Sequence, residues 1–567
     1  MQANASKGAK VISYSLYGSW ALRVTIFLYR KWNSRSKSRQ EDLPAGTRNR
    51  FREPLKVLRT MLACAWLACL LVVGGCRGLP SLDPRTESHA FNDTETTTLG
   101  SAVAALKAEH PGFTGMYPLV KGHDAFAARV LLAQRAQRSL DVQYHIWSND
   151  LTGTLMLDAL SSAAARGVRV RLLLDDNNTS GMDDILLALS RRPNVEVRLF
   201  NPFAMRDWRG IGYLTDFMRL NRRMHNKSFT ADNQVTIVGG RNIGDEYFGA
   251  AADLLFVDLD VLAAGPVVRA VSNDFDRYWN SSAAYPIGML VRETAQPGPD
   301  LLAQRIVAIR EQPAAQLYLE AFRSLPLLDD LAKHRLALDW VPARLVSDAP
   351  EKVLGGQPLQ ERMSVALLEL IGEPQRKMDL VSPYFVPGEK TTRRLVSMAR
   401  RGVKVRILTN SLEATDMAVV HAGYIKRRRE LLEAGVTLYE MHPTGGATYH
   451  RAGSFGSSAS SLHAKTFGVD QRRIFVGSFN LDRRSIDLNT EMGLVIDSVT
   501  LAGQLSAKLE ALAQTRAYEV RLDAQGRLIW LQHTKDGTVT HHEEPGTSFW
   551  QRAGVRMLSW LPIDWLL

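Results

Sequence analysis

Two histidine and lysine pairs sit in matching settings in the two halves of this 567-residue chain. The first is His225-Asn226-Lys227 followed by Asp232, and the second is His463-Ala464-Lys465 followed by Asp470. A glycine and an asparagine come at the same offsets in each copy, Gly239 and Asn242 in one, Gly477 and Asn480 in the other. A neutral imidazole can attack phosphorus, two ammonium groups can neutralise non-bridging oxygens as charge grows, and a second imidazole can protonate the leaving oxygen. Residues of these types, duplicated in this way, suit phosphodiester transfer at one centre made by two half-sites.

A histidine acting as nucleophile needs its other ring nitrogen held by an acceptor. Asp258, downstream of His225, and Glu491, at a comparable offset downstream of His463, are the candidates, against the plainer reading of surface or turn carboxylates. Asp232 and Asp470 are candidate catalytic residues by their place in the motif, although a hairpin-turn role suits them better than proton transfer. No His or carboxylate cluster shows metal-ligand spacing, so neither a catalytic metal nor another cofactor is expected.

The duplication extends beyond these residues. Arg166-Gly167-Val168 answers Arg401-Gly402-Val403 at nearly the separation of the two histidines, and residues 139–144 answer 377–382. Hydrophobic periodicity predicts helix over 126–137, strand over 140–147, helix over 155–166 and strand over 168–174. The second half repeats the order: helix over 364–371, strand over 378–385, helix over 391–401 and strand over 403–408. Strand, helix, strand at this spacing implies parallel pairing with helices on both faces, an α/β fold. A break at 295–299 precedes helical segments and a strand near Leu345. Each histidine phrase predicts a hairpin, 224–230 turning at Asp232 and Asn233 into 235–238, and 462–469 turning over 470–473 into 474–476. Residues two apart on a strand share a face, so each histidine is expected to project beside its lysine.

The length favours at least two domains. The net charge of +12 is concentrated in residues 1–76, where 13 Lys or Arg face three acids, so the remainder is nearly neutral and bulk charge gives nucleic-acid binding little support. Cys64, Cys69 and Cys76 all lie in one apolar stretch, which excludes a disulfide framework or a cysteine metal site in the repeats. That stretch, 60–75, carries no charge and follows Arg52, Lys56 and Arg59, the pattern of a secretory signal. It ends in Val73-Gly74-Gly75-Cys76, which resembles a bacterial lipoprotein box with Cys76 as the lipid-attachment residue; an ordinary membrane anchor is the alternative. Residues 1–60 read as a basic extension, in which 11–29 fits either a membrane segment with positive flanks or a start assigned too far upstream.

With its trailing Gly477-Ser478-Phe479-Asn480 and the variant Gly239-Gly240-Arg241-Asn242, the doubled motif resembles the phospholipase D superfamily over residues 105–520. Within it, Tyr144-His145-Ile146-Trp147, Ser382-Pro383-Tyr384-Phe385 and the closing residues 558–567 are similar to bacterial cardiolipin synthases. The resemblance implies two tandem α/β/α domains, 105–295 and 341–520, in a pseudo-twofold arrangement around one active site, joined by a helical linker over 296–340. It implies a covalent phosphohistidine on His225, with His463 as acid and then base. Lys227, Lys465, Asn242 and Asn480 would hold the phosphate, and Asp258 and Glu491 orient the histidines. The two histidine roles are interchangeable at this level. Gly240 departs from the serine of the family pattern, which puts a hydroxyl contact in doubt.

The implied substrates are membrane phospholipids, phosphatidylglycerol and phosphatidylethanolamine, with nucleic acid unfavoured and the bacterial cell envelope as location. A phospholipase D-type hydrolase and a non-catalytic lipid-binding scaffold are the alternatives; a scaffold would be expected to have lost a motif histidine or lysine, and all four are present. Residues 521–567 form a tail with Trp550, Trp560 and Trp565, placed either at a lipid interface or as a cap on the second domain. The run Lys426-Arg427-Arg428-Arg429 reads as a solvated helix face or a headgroup contact.

Overall fold

A computed structural model describes residues 78–562, except 84, 251–256, 292–299, 324–329, 331, 332, 334 and 444–461. Cys76, the preceding segments and Trp565 lie outside the described residues. Among the described residues, nineteen strands form two mixed sheets. The first comprises β1 (Thr114–Leu119), β2 (Ser139–Tyr144), β3 (Arg169–Asp175), β4 (Val195–Phe200), β5 (Ser228–Ala231), β6 (Val235–Gly239), β7 (Asp260–Ala264), β8 (Ala284–Pro286) and β9 (Asp339–Val341). The second comprises β10 (Ala343–Ser347), β11 (Lys377–Val381), β12 (Lys404–Asn410), β13 (Thr437–Met441), β14 (Lys465–Val469), β15 (Arg473–Gly477), β16 (Met492–Ile496), β17 (Ala517–Leu522), β18 (Leu528–Thr534) and β19 (Gly537–His541). Their orders are β8-β4-β3-β2-β5-β6-β7-β1-β9 and β10-β16-β15-β14-β11-β12-β13-β17-β18-β19.

The same core recurs in both. β2, β3 and β4 run parallel, as do β11, β12 and β13, joined by the expected helices Leu151–Ala165 and Glu389–Arg400. The repeated Arg-Gly-Val has a backbone cause: Gly167 and Gly402 follow these helices with φ of +93° and +90°, a conformation that costs glycine little, and the valine then re-enters the sheet. A buried ion pair is duplicated too. Arg171 Nε donates to Asp141 at 2.7 Å across β3 and β2, and Arg406 Nε donates to Asp379 at 2.7 Å across β12 and β11. Removing one partner of such a pair strands the other charge, a cost of about 3–5 kcal/mol.

Between the sheets lies a shared apolar seam, with Val238, Val261 and Val271 from the first half against Val476, Met492 and Leu494 from the second. Both hairpins are present: β5 and β6 turn through Asp232 and Asn233, and β14 and β15 through Asp470 and Gln471, with φ between +51° and +53° at all four residues. These are left-handed central positions, the turn type whose twist matches a hairpin.

Two segments differ from expectation. Residues 528–541, grouped by composition with a tail, are β18 and β19 of the second sheet. The helix Phe549–Ser559 then buries Val555 against Leu412 and Ala422 while exposing Trp550, Met557 and Trp560. In the basic run, Arg428 is buried between Glu440 and Glu544, so that face is not wholly solvated.

Candidate active site

Antiparallel pairing of β5 with β2, and of β14 with β11, brings Lys227 and Lys465 to the carboxyl edges of the parallel strands, where ligands bind in sheets of this kind. The first histidine and lysine precede β5 rather than lie on it, which corrects the expected hairpin. Met224 instead bridges to Thr490 of the second half, and the His225 N–H donates to the Thr490 carbonyl at 2.9 Å. The second copy returns the contact: Leu462 bridges to Val257, and the His463 N–H donates to the Val257 carbonyl at 3.0 Å. Reciprocal contacts of this kind are the signature of a twofold interface.

These crossings place each carboxylate on the other half's histidine. His225 Nδ1 is 2.8 Å from Glu491 Oε2, and His463 Nδ1 is 2.7 Å from Asp258 Oδ2. Chain offsets put Asp258 with His225 and Glu491 with His463; the structure exchanges them, because Val257 and Thr490, one residue before each carboxylate, pair across the junction. Nδ1 held by a carboxylate carries the proton, which leaves the lone pair on Nε2.

The charges around the histidines are unequal. Burial and Lys227 hold His225 well below the usual imidazole range, while burial and Lys465 lower His463 to about 4. Burial and the neighbouring Lys465 push Lys227 well below the ordinary amine value. Burial lowers Lys465 to about 8 against the pull of Asp258 and Glu491. Burial pushes Glu491 up to about 7, only partly offset by Lys227, whereas at Asp258 the effect of His463 overcomes burial and holds the carboxyl at about 2. Two buried ammonium groups with depressed pKa values are a pair whose charged forms a bound anion would stabilise.

Gly240 now has a physical account. A Cβ there would stand 2.2 Å from Asp258 Oδ1, so the shorter carboxylate fills the space that a serine side chain would need. The corresponding Ser478 donates its hydroxyl to Glu491 Oε2 and accepts the Met492 N–H at 3.0 Å. Asp348 supports the same carboxylate from behind by accepting the Glu491 N–H at 3.1 Å.

The remaining candidates separate. Asp232 and Asp470 require correction as catalytic residues. Asp232 accepts the N–H groups of Gln137, Arg138 and Ser139, Asp470 those of Gln375, Arg376 and Lys377, all at 2.7–3.1 Å. Each sits at the turn end of its hairpin, across β5 or β14 from its histidine. Asn242 accepts the Ile146 N–H and donates to the Tyr247 hydroxyl, both at 3.1 Å, while the buried Asn480 keeps its side-chain oxygen without a partner among the described residues. Two rings adjoining the histidines carried no duplicated signal. His145 lies 4.8 Å from the His225 ring, with Nδ1 2.8 Å from the Met224 carbonyl, and Tyr247 lies 5.0 Å from the His463 ring. Among the described residues no cluster of His, Cys, Asp and Glu could hold a metal ion.

Residues 131–279 and 367–513 each match the family model described as cardiolipin synthase, PLD-like domain. The chain is 48% identical over 478 residues to cardiolipin synthase C of Escherichia coli (strain K12), covering 83% of this chain and 99% of that protein. The chain belongs to the cardiolipin synthase family. An uncharacterised protein of Helicobacter pylori (strain ATCC 700392 / 26695) is 33% identical over 84% of this chain and 94% of its own length. Cardiolipin synthase A of Pseudomonas syringae pv. syringae (strain B728a) is 27% identical over 69% of this chain and 67% of that protein. Both matched segments of this cardiolipin synthase-like enzyme carry one histidine and lysine pair, so the duplicated phospholipase D-like unit is also the duplicated half-site.

Proposed function

We propose that this chain makes cardiolipin by moving a phosphatidyl group from one phospholipid onto a hydroxyl of phosphatidylglycerol, through a covalent phosphohistidine. The observation that supports it best is the reciprocal exchange of carboxylates, which orients two neutral imidazoles around two buried ammonium groups. Lys227, Lys465 and Asn480 hold the donor phosphate, and Asn242 positions Tyr247. His225 Nε2 attacks phosphorus, the bond to the headgroup oxygen breaks, and His463 delivers the proton to that oxygen. His463 then takes the proton of the acceptor hydroxyl, which attacks the same phosphorus and releases His225. Binding the anionic phosphate between the lysines offsets the charge that depresses His463, which lets it carry the proton the first step needs.

Phosphatidylethanolamine or a second phosphatidylglycerol serves as donor, with Cys76 as a lipid anchor in the cell envelope and the exposed tryptophans of helix Phe549–Ser559 at the lipid interface. The test is lipid analysis of a host lacking its own cardiolipin synthases. Cardiolipin formed with the wild-type chain but not with His225→Ala is expected. Phosphatidic acid without cardiolipin makes the chain a hydrolase, and unchanged lipids overturn both.

A further inference from the structure

Between β4 and His225 the chain builds a small lobe of two short helices, Arg209–Thr215 and Phe217–Leu220. Its inner side is packed: Leu220 is buried, and Gly212 is closed against Leu220 and Phe203. Its exposed residues are mainly apolar, with Trp208 70%, Leu214 86%, Phe217 38% and Met218 65% exposed in one short stretch of chain that also exposes Asp207 and Thr215. Scattered single exposures of this kind are ordinary, but a contiguous group marks a surface that meets something else.

The lobe is held firmly, and it is held to the site. Arg209 donates to the Asp176 carbonyl at 2.6 Å, Arg219 donates to Asn201 Oδ1 at 2.6 Å, and Tyr213 donates to Asn177. Asn178, next in the chain, reaches within 3.4 Å of His145 Nε2, and the His145 ring packs on His225. Asp176 to Asn178 directly follow β3, so the lobe stands over the carboxyl edge at which the histidines lie.

Charge indicates what it meets. Residues 206–223 hold five arginines and two aspartates. Arg222 and Arg484, which grips Asn221 from the second half with two bonds of 2.8 Å, have no carboxylate within ion-pair distance among the described residues. Protruding apolar side chains bordered by guanidinium groups whose charge no carboxylate neutralises are the composition of an interfacial element on an anionic bilayer. Fold symmetry does not demand it, since the corresponding connection in the second half, residues 442–461, consists mostly of Gly, Ser, Ala and Thr.

We infer that this lobe is a membrane-docking lip: Trp208, Leu214 and Met218 enter the surface of a phosphatidylglycerol-containing bilayer, Arg222 takes a lipid phosphate, and headgroups are presented to the His225 side. The inference rests on the phospholipid reading above and adds where the bilayer sits. The test uses the full chain on vesicles of phosphatidylglycerol and phosphatidylethanolamine with brominated acyl chains. Tryptophan quenching is expected to contain a component that Trp208→Phe removes, and that readout does not depend on turnover. Leu214→Glu with Met218→Glu is expected to lower turnover on vesicles at least about tenfold, the scale of two lost apolar insertions, while turnover of a monomeric short-chain phospholipid stays unchanged. Equal loss on both substrates, or no loss on vesicles, overturns the inference. So does a shift from dimer to monomer on sedimentation with quenching intact, which would make the lip a contact between copies. Loss of cardiolipin synthesis with Trp208 quenching retained would count against the transferase reading alone.

Discussion

The His225 and His463 half-sites share residue types and register, yet their surroundings differ. His225 is served by a longer carboxylate, Glu491, which is held by a serine hydroxyl and pushed up to about 7. His463 is served by a shorter one, Asp258, which sits against a glycine and is held at about 2. The difference teaches that the two copies share a geometry but not the charge environment of their carboxylates. One carboxylate raised to about 7 and one held at about 2 would suit a centre in which the two histidines do different work.

The comparison can be broken most forcefully at the carboxylates. Glu491→Gln is expected to slow formation of the covalent intermediate by about 10²–10⁴-fold, and Asp258→Asn to slow the proton-transfer steps by a similar factor, the range for losing a histidine's orienting acid. Rapid-quench kinetics separates them; identical effects on both phases would erase the division of labour.

A pH profile tests the charges. Glu491, raised to about 7, is protonated below that value and loses the charge that strengthens its bond from His225, so kcat/KM is expected to fall as pH drops through about 7. Lys465, lowered to about 8, loses its charge above that value, so kcat/KM also falls as pH rises through about 8. Bound phosphate favours the ammonium, and the basic limb of kcat is expected higher than that of kcat/KM.

Gly240→Ser is the next smaller step. It drives Cβ into Asp258 and is expected to cost about 1–3 kcal/mol of stability, measured by denaturant unfolding, with loss of activity at His463. Ser478→Gly is expected to cost only about 1 kcal/mol and to move the acid limb upward, because Glu491 loses a donor that favours its charged form. The smallest effect on catalysis is expected at the turns. Asp232→Ala and Asp470→Ala should each lower stability by about 1–3 kcal/mol, the cost of leaving backbone donors unpaired, with the half-buried Asp470 at the low end and kcat of the folded enzyme unchanged.

Much of this centre was legible in the chain because its residues recur at fixed offsets: His225 with His463, Lys227 with Lys465, Gly239 with Gly477. Strands β2, β3, β11 and β12 and the helices between them were legible for the same reason, within a few residues at each end, whereas the third parallel strands, β4 and β13, were not among the expected elements. What offsets do not encode is partnership across a junction. The order of Asp258 and Glu491 in the chain says nothing of which histidine each meets, and the pairing of Met224 with Thr490 that pulls His225 out of its own hairpin is a tertiary event. His145 and Tyr247 were missed because duplication was the signal, and their counterparts in the second half are Pro383 and Ser485. Strands β18 and β19 were missed because their outward faces are polar and the tryptophans further on, Trp550, Trp560 and Trp565, suggested a tail.

The most direct measurement is capture of the intermediate. A single turnover of the His463→Gln variant with labelled phospholipid, followed by peptide mapping, is predicted to find the phosphatidyl group on His225. Label on His463 in the His225→Gln variant, with none on His225 in the His463→Gln variant, would contradict the assignment of roles to the two halves.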